Sequence, residues 1–144
     1  MAITIESARP GDADAIVGLI SANRLPLDGL RDHLDTAVVA RLNGEVVGVA
    51  ALELYEDGVL MRSVAVAPAL QGQGLGHRLT NAALELARDL EAPHAYLLTT
   101  TAEEFFPKFG FERVDRTDVP ASVQTSIEFR SACPSSAIVM RKAL

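Results

Sequence analysis

The sequence predicts an α/β fold, α+β in stricter usage, organised as a single domain (1–144) around one mixed, mostly antiparallel sheet flanked by helices. Three observations carry that prediction. Two turn signals separate three strand-like runs in the first half of the chain. A glycine-rich turn then leads from the third run into a long segment whose apolar residues recur at helical spacing. Short strand-like runs return near the end, which makes one parallel crossover part of an otherwise antiparallel sheet. The chain has 144 residues, 49% apolar and 22% charged, enough to bury a core without metal or disulfide support.

Each element has its own signature. Ile3 to Ala8 alternates as a short strand does, and Arg9-Pro10-Gly11-Asp12 breaks it. Ile16, Val17, Leu19 and Ile20 form the stripe of a first helix, and Pro26 to Leu34 reads as a second, shorter one. Val38 to Leu42 and Glu45 to Leu54 are strands joined by Asn43-Gly44, the pair that best tolerates the positive φ of a type I′ turn. Glu56-Asp57-Gly58 turns the chain into a third strand, Val59 to Ala67. Leu75, Leu79, Ala82, Ala83, Leu86 and Leu90 follow on one helical face, closed by Pro93. Ala95 to Leu98 reads as a buried strand, and Ala102 to Phe109 as a short helix stopped by Gly110. Phe111 to Val114 and Ala137 to Arg141 complete the sheet.

Charge and composition narrow the function. A net charge of −6 argues against nucleic acid, whose binding depends on Lys and Arg displacing phosphate counterions. It leaves room for a small amine. A single cysteine, Cys133, permits no internal disulfide. The first residues lack a basic region followed by an apolar run, and no stretch approaches the roughly 20 apolar residues of a membrane span. The expected setting is cytoplasmic, with no membrane partner and no metal.

The chemistry begins at Gln71-Gly72-Gln73-Gly74-Leu75-Gly76, between a strand and a long helix. Unpaired N–H groups and the positive end of the dipole collect there, and missing side chains let a diphosphate approach the backbone. A plain strand-to-helix turn would use the same glycines for backbone freedom alone. The spacing excludes two phosphate binders. No Lys-Ser or Lys-Thr follows, as a Walker loop needs, and a dinucleotide fingerprint beginning at Gly72 would need its third glycine where His77 stands.

Gln-x-x-Gly-x-Gly after Val66-Ala67-Pro68, together with Ala102-x-x-Phe-Phe-x-x-Phe-Gly-Phe and the order of elements, resembles the GNAT superfamily of N-acetyltransferases over nearly the whole chain. The resemblance implies acetyl-coenzyme A as co-substrate and a sheet splayed between its fourth and fifth strands. It also implies coenzyme contacts at Val64, Ala65, Val66, Gln71, Gly72, Gln73, Gly74, Leu75, Gly76, His77, Thr99 and Phe106, made largely by backbone groups. A homodimer is a common assembly in such proteins. Two positions depart from the pattern. Where many relatives carry Tyr as an acid for the departing thiolate stands Phe106, and where an Asn often meets the pantetheine stands Thr99. With an ordinary thiol pKa near 8.5, the thiolate can leave without an acid.

The catalytic residues are not fixed by the sequence. Glu53 and Glu128 are candidate general bases, each set against a reading as a solvated surface carboxylate. Cys133 is read as an incidental thiol, with direct transfer to the amine in a ternary complex. For the acceptor, Arg62, Ser63, Thr99, Thr100 and Arg130 are the candidate contacts, although Arg62 would also serve as the partner of a neighbouring Glu. Thr101 and Glu104 match a capping box. Glu128 to Ala137 has an odd composition for a plain hairpin loop. Arg-Ser before Val-Ala-Val, the Thr-Thr-Thr-Ala-x-x-Phe-Phe run and Glu-Phe-Arg-x-x-Cys-Pro-x-Ser-Ala are similar to the arsenic-resistance branch. That likeness implies detoxification by acetylating the α-amine of a small acidic acceptor such as arsinothricin or phosphinothricin, held by Arg forks. A protein N-terminal or lysine acetyltransferase and a non-catalytic acyl-coenzyme A-binding module are the alternatives.

Overall fold

The computed structural model describes residues 2–132 and 136–144. Its centre is a seven-stranded sheet: β1 (Ile3–Ser7), β2 (Ala37–Leu42), β3 (Glu45–Tyr55), β4 (Gly58–Val66), β5 (His94–Thr99), β6 (Glu112–Val114) and β7 (Ile138–Ala143), in spatial order β1-β2-β3-β4-β5-β7-β6. All neighbours are antiparallel except β4 and β5. The β2–β3 hairpin turns where expected, with φ of 54° at Asn43 and 81° at Gly44.

Two principal helices cover opposite faces. Helix α2 (Leu75–Asp89) buries Leu75, Leu79, Ala83, Leu84 and Ala87 against Val38, Ala40, Ala50, Leu52 and Met61. On the other side, α1 (Ala13–Ala22) sets Ile16, Leu19 and Ile20 on Val39, Val49 and Ala51. Covered twice, β3 is buried without interruption from Gly48 to Glu53. Arg41 ties the start of α1 to β2 by a bidentate pair with Asp12, at 2.9 and 2.5 Å. A short α3 (Ala121–Gln124) and a π-helical turn at Glu128–Ala132 lead back to β7.

Some expected elements are revised. The helix read from Pro26 to Leu34 is a 3-10 helix at Leu30–Thr36, delayed because Gly29 takes a left-handed φ of 72°. Ala102 to Phe109 forms turns and a single 3-10 stretch, Phe106–Phe109, with Pro107 withholding a backbone donor. It does end at Gly110, whose φ is 93°. The cap there is Thr99, whose Oγ1 accepts from the Ala102 N–H at 2.9 Å, in place of the expected Thr101–Glu104 box. Leu90, at the last turn of α2, is 44% exposed and so leaves the helix's buried stripe.

Candidate active site

The site starts from a failure of pairing. Strands β4 and β5 share only Val59↔Ala95 and Leu60↔Tyr96, after which they diverge. On its other side β4 carries a bulge: Arg62 faces Ala51 and Ala65 faces Val49, so Ser63 and Val64 share one partner position. Ser63 takes a φ of 59°, an uncommon conformation for a residue with a Cβ. Neither Ser63 nor Val64 has a register partner of its own on β3 or β5, and both border the smaller cavity.

Two cavities occupy that gap and share Val64, Thr100, Thr101, Ala102 and Phe106 as a common wall. The larger, about 800 Å³, is also bounded by Asn23, Ala65, Val66, Gln71, Gly76, Phe105 and Lys108. Its end is the glycine loop. Gly72 and Gly74 adopt φ of 81° and 82°, and Gly74 is the residue before the first turn of α2. A Cβ on Gly76 would meet only Phe105 at 3.8 Å and Val66 at 3.9 Å, both cavity-lining residues, so it would intrude on the cleft. Glycine at these positions leaves the helix-initial N–H groups open to an anion, which fits a diphosphate.

The smaller cavity, about 280 Å³, lies between β4, the end of β5, the segment after α1 and Glu128. Arg62 lies along its wall, its side chain 0% exposed. Nη1 of Arg62 donates to Glu53 Oε2 at 2.8 Å and to the Asp28 carbonyl at 2.6 Å. Nη2 reaches the Pro26 carbonyl at 3.1 Å, and Nε reaches Ser63 Oγ at 3.1 Å, with Glu128 at 3.9 Å. Tyr55 donates to Glu53 Oε1 at 2.5 Å. Burial works against the charge on Glu53, but hydrogen bonds from Ser126, Tyr55 and Arg62, with His33 nearby, outweigh it and hold the carboxyl below its ordinary range. Burial and the bond to Glu53 push the Tyr55 phenol up to about 12.

Of the expected coenzyme contacts, Val64, Ala65, Val66, Gln71, Gly76 and Phe106 line the larger cavity. Gly72, Gln73 and Gly74 form the exposed loop at its end. Leu75 is buried in the core, which leaves only its backbone to meet a ligand. His77 is exposed, its ring centre 4.6 Å from that of Phe109 and tilted 45° to it. The Gln71 amide is committed to the Val66 carbonyl and to Asn23, each at 3.1 Å. Of the acceptor candidates, Arg62, Ser63, Thr99 and Thr100 line the smaller cavity.

Three expectations are corrected. Arg130 is exposed and bounds neither cavity. Glu53 is 0% exposed and Glu128 is 5% exposed, so neither is a solvated surface carboxylate. With its carboxylate locked and its basicity lowered, Glu53 is a poor proton acceptor, whereas Glu128 borders the smaller cavity. Cys133 lies outside the described residues.

Sequence reading missed Asn23, Arg24, Tyr55, Ser126 and Lys108. An Asn-Arg pair ending a helix was the one signal that pointed toward any of them. Among the described residues no cluster of His, Cys, Asp and Glu could hold a metal ion, and no helix is long and apolar enough to cross a membrane.

Comparison with known proteins gives the following. The profile of the acetyltransferase (GNAT) domain matches residues 33–113. An amino-acid acetyltransferase of Mycobacterium tuberculosis is 42% identical over 83 residues, 57% of this chain and 47% of that protein. One from Neisseria meningitidis serogroup A is 25% identical over 153 residues, 97% of this chain and 34% of that protein. The chain thus spans half or less of the length of these curated relatives. The structure of Rv2747 from Mycobacterium tuberculosis in complex with CoA and NLQ superposes with a TM-score of 0.83 at 30% identity, covering 98% of this chain and 99% of that one. N-acetylglutamate synthase from Neisseria gonorrhoeae, complexed with coenzyme A and N-acetyl-glutamate, has a TM-score of 0.85 at 22% identity, over 100% of this chain and 35% of that one. The last likeness is one of fold.

Proposed function

The chain belongs to the acetyltransferase (GNAT) domain family, and on that premise we propose that it transfers acetyl from acetyl-coenzyme A to the α-amine of a small acidic amino-acid-like acceptor. The observation that carries the reading is the pair of cavities sharing one wall where β4 leaves β5. One is sized for a long donor and ends at the glycine turn; the other is small and bordered by Arg24, Arg62 and Glu128. Rv2747, which aligns along nearly its whole chain, was solved with CoA, which supports the donor assignment. The amino-acid acetyltransferases among the relatives support an amino acid as acceptor.

In this reading the coenzyme diphosphate rests on the loop from Gln71 to Gly76, and the thioester arm runs along Val64 to Val66 inside the splay. The backbone of Ser63 and Val64, where β4 has left β5, supplies dipoles where charge develops on the carbonyl oxygen. The amine nitrogen attacks the thioester carbon, the C–S bond breaks and the thiolate leaves with the bonding electrons. Glu128, which borders the smaller cavity, takes the amine's proton in this reading, directly or through water, a contribution of roughly 10²–10⁴-fold. Phe106 has no proton to give, so the thiolate departs unaided or takes a proton from water. Arg62, Ser63, Thr99 and Thr100 form the acceptor wall. An arsinothricin- or phosphinothricin-like molecule fits this description, because it combines an α-amine with a compact anionic end.

A cavity of about 280 Å³ suits a small molecule better than a peptide segment. The test is thiol release from acetyl-coenzyme A with glutamate, phosphinothricin, arsinothricin and a short peptide as separate acceptors. Turnover with the acidic amino acids is expected. Release with the peptide alone would favour a protein acetyltransferase, and coenzyme binding without any release would favour a sensor.

A further inference from the structure

Arg24 is exposed and lines the smaller cavity, and among the described residues its side chain makes no hydrogen bond or ion pair. Its placement is built rather than incidental. Helix α1 ends in a Schellman-type closure, in which the Arg24 N–H donates to the Ser21 carbonyl at 3.0 Å and the Leu25 N–H to Ile20 at 3.2 Å. Arg24 occupies the left-handed position of that closure with a φ of 58°, where glycine is the favoured residue. The closure fixes the point from which the Arg24 side chain leaves the backbone, at the border of the smaller cavity. The chain just beyond is fixed from beneath, because Arg62 binds the carbonyls of Pro26 and Asp28.

The charges of the cavity then divide by depth. Buried Arg62 is engaged by Glu53, Ser63 and two carbonyls, and buried Glu128 borders the same space. Arg24 is the exposed cation at the mouth. An acceptor whose amine reaches the splay beside Val64 and Glu128 must direct its other end outward. We propose that Arg24 selects for an acidic group at the distal end of the acceptor, with Arg62 as the positioning residue that holds the Arg24 segment in place. This rests on the transferase reading and deepens it.

The test compares glutamate with glutamine, which differ only at the distal group, and adds phosphinothricin as a second acid. In Arg24→Ala the preference for glutamate over glutamine, measured as a ratio of kcat/KM, should fall about 10-fold, the loss expected for one charge-assisted contact at a partly exposed site. Arg24→Lys should restore part of it, since the charge remains but the planar fork is lost. Salt should weaken the preference in the wild type and leave it flat in Arg24→Ala. Equal loss on both acceptors, or no loss, would overturn the assignment while leaving the transferase intact. Calorimetric titration of glutamate and phosphinothricin in the presence of coenzyme A separates the other case. If acid binding depends on Arg24 but no amine is acetylated, the transferase reading fails and the assignment stands. If the wild type neither binds nor acetylates either acid, the assignment falls.

Discussion

Arg62 shows how one buried charge can organise a site without being free to meet a ligand. Its guanidinium is 0% exposed and faces a Glu53 side chain that is also 0% exposed, so neither charge has water to fall back on. Removing one partner leaves the other uncompensated, at a cost of about 3–5 kcal/mol. Arg62→Ala should therefore lower the melting temperature by roughly 10 °C, and because the segment that carries Arg24 loses its support, the preference for acidic over neutral acceptors should fall with it. A loss of acidic preference that Arg62→Ala adds on top of Arg24→Ala, at unchanged stability, would show instead that Arg62 itself holds the anion. Glu53 also gives the fold an acid sensitivity of known sign. Its folded pKa lies below the ordinary 4.5. The stability it contributes is complete above that value and is lost as pH falls through the lowered one. Thermal melts across this range should decline less steeply in Glu53→Gln than in the wild type, although Asp12 and Glu6, held low chiefly by hydrogen bonds from Arg41, keep some slope in both.

At the scale of elements, local chemistry was legible and distant pairing was not. Asn43-Gly44 announced its hairpin because the turn's φ requirement is met by those two residues alone. The loop from Gln71 to Gly76 was equally readable, since its glycines answer a local backbone need. In contrast, the insertion of β7 between β5 and β6 depends on contacts far apart in sequence, and no local signal encodes it. The bulge at Ser63 and the part of Tyr55 in the Glu53–Arg62 cluster were hidden for the same reason, whereas the pairing of Arg62 with a glutamate was among the readings of the sequence. Gly29 illustrates the difference. Read as an interior residue of a helix, it instead sits left-handed, where a Cβ would come 2.9 Å from Ile127 Cγ2 and 3.7 Å from Arg62 Nη1. Gly29→Ala should cost about 1–3 kcal/mol and raise the KM for the acceptor while leaving that for acetyl-coenzyme A unchanged. Kinetics with both substrates varied would show whether this segment belongs to the acceptor side alone. Gly74→Asp addresses the other side. No atom lies within 4 Å of a Cβ there, so the added carboxylate acts mainly through backbone strain and like charge toward the diphosphate. Calorimetry should find coenzyme affinity reduced at least about 10-fold with the fold retained; normal affinity would remove the loop from the donor site.

For the molecule as a whole, the sheet places two clefts side by side. Helix α2 brings the glycine loop to one side of the splay, while the segment after α1 and the turn at Glu128 close the other. Val64, Thr100, Thr101, Ala102 and Phe106 belong to both clefts, so on the proposed reading donor and acceptor are bound together with their reacting ends at the common wall. Holding both reactants at once turns a bimolecular encounter into an effectively intramolecular step. A covalent relay would need only one cleft used twice. Direct transfer therefore predicts intersecting lines when initial rates are measured at several fixed acceptor concentrations, and little thiol release from acetyl-coenzyme A alone. Parallel lines would instead indicate an acetylated enzyme. Cys133→Ser then identifies its site, because under direct transfer that variant should keep turnover close to the wild type. Phe106→Leu should also remain active, since the ring supplies packing to both clefts and no proton. If Phe106→Leu loses all turnover while its melting temperature and coenzyme affinity are unchanged, the ring must be orienting the thioester, and the shared wall is catalytic rather than a partition.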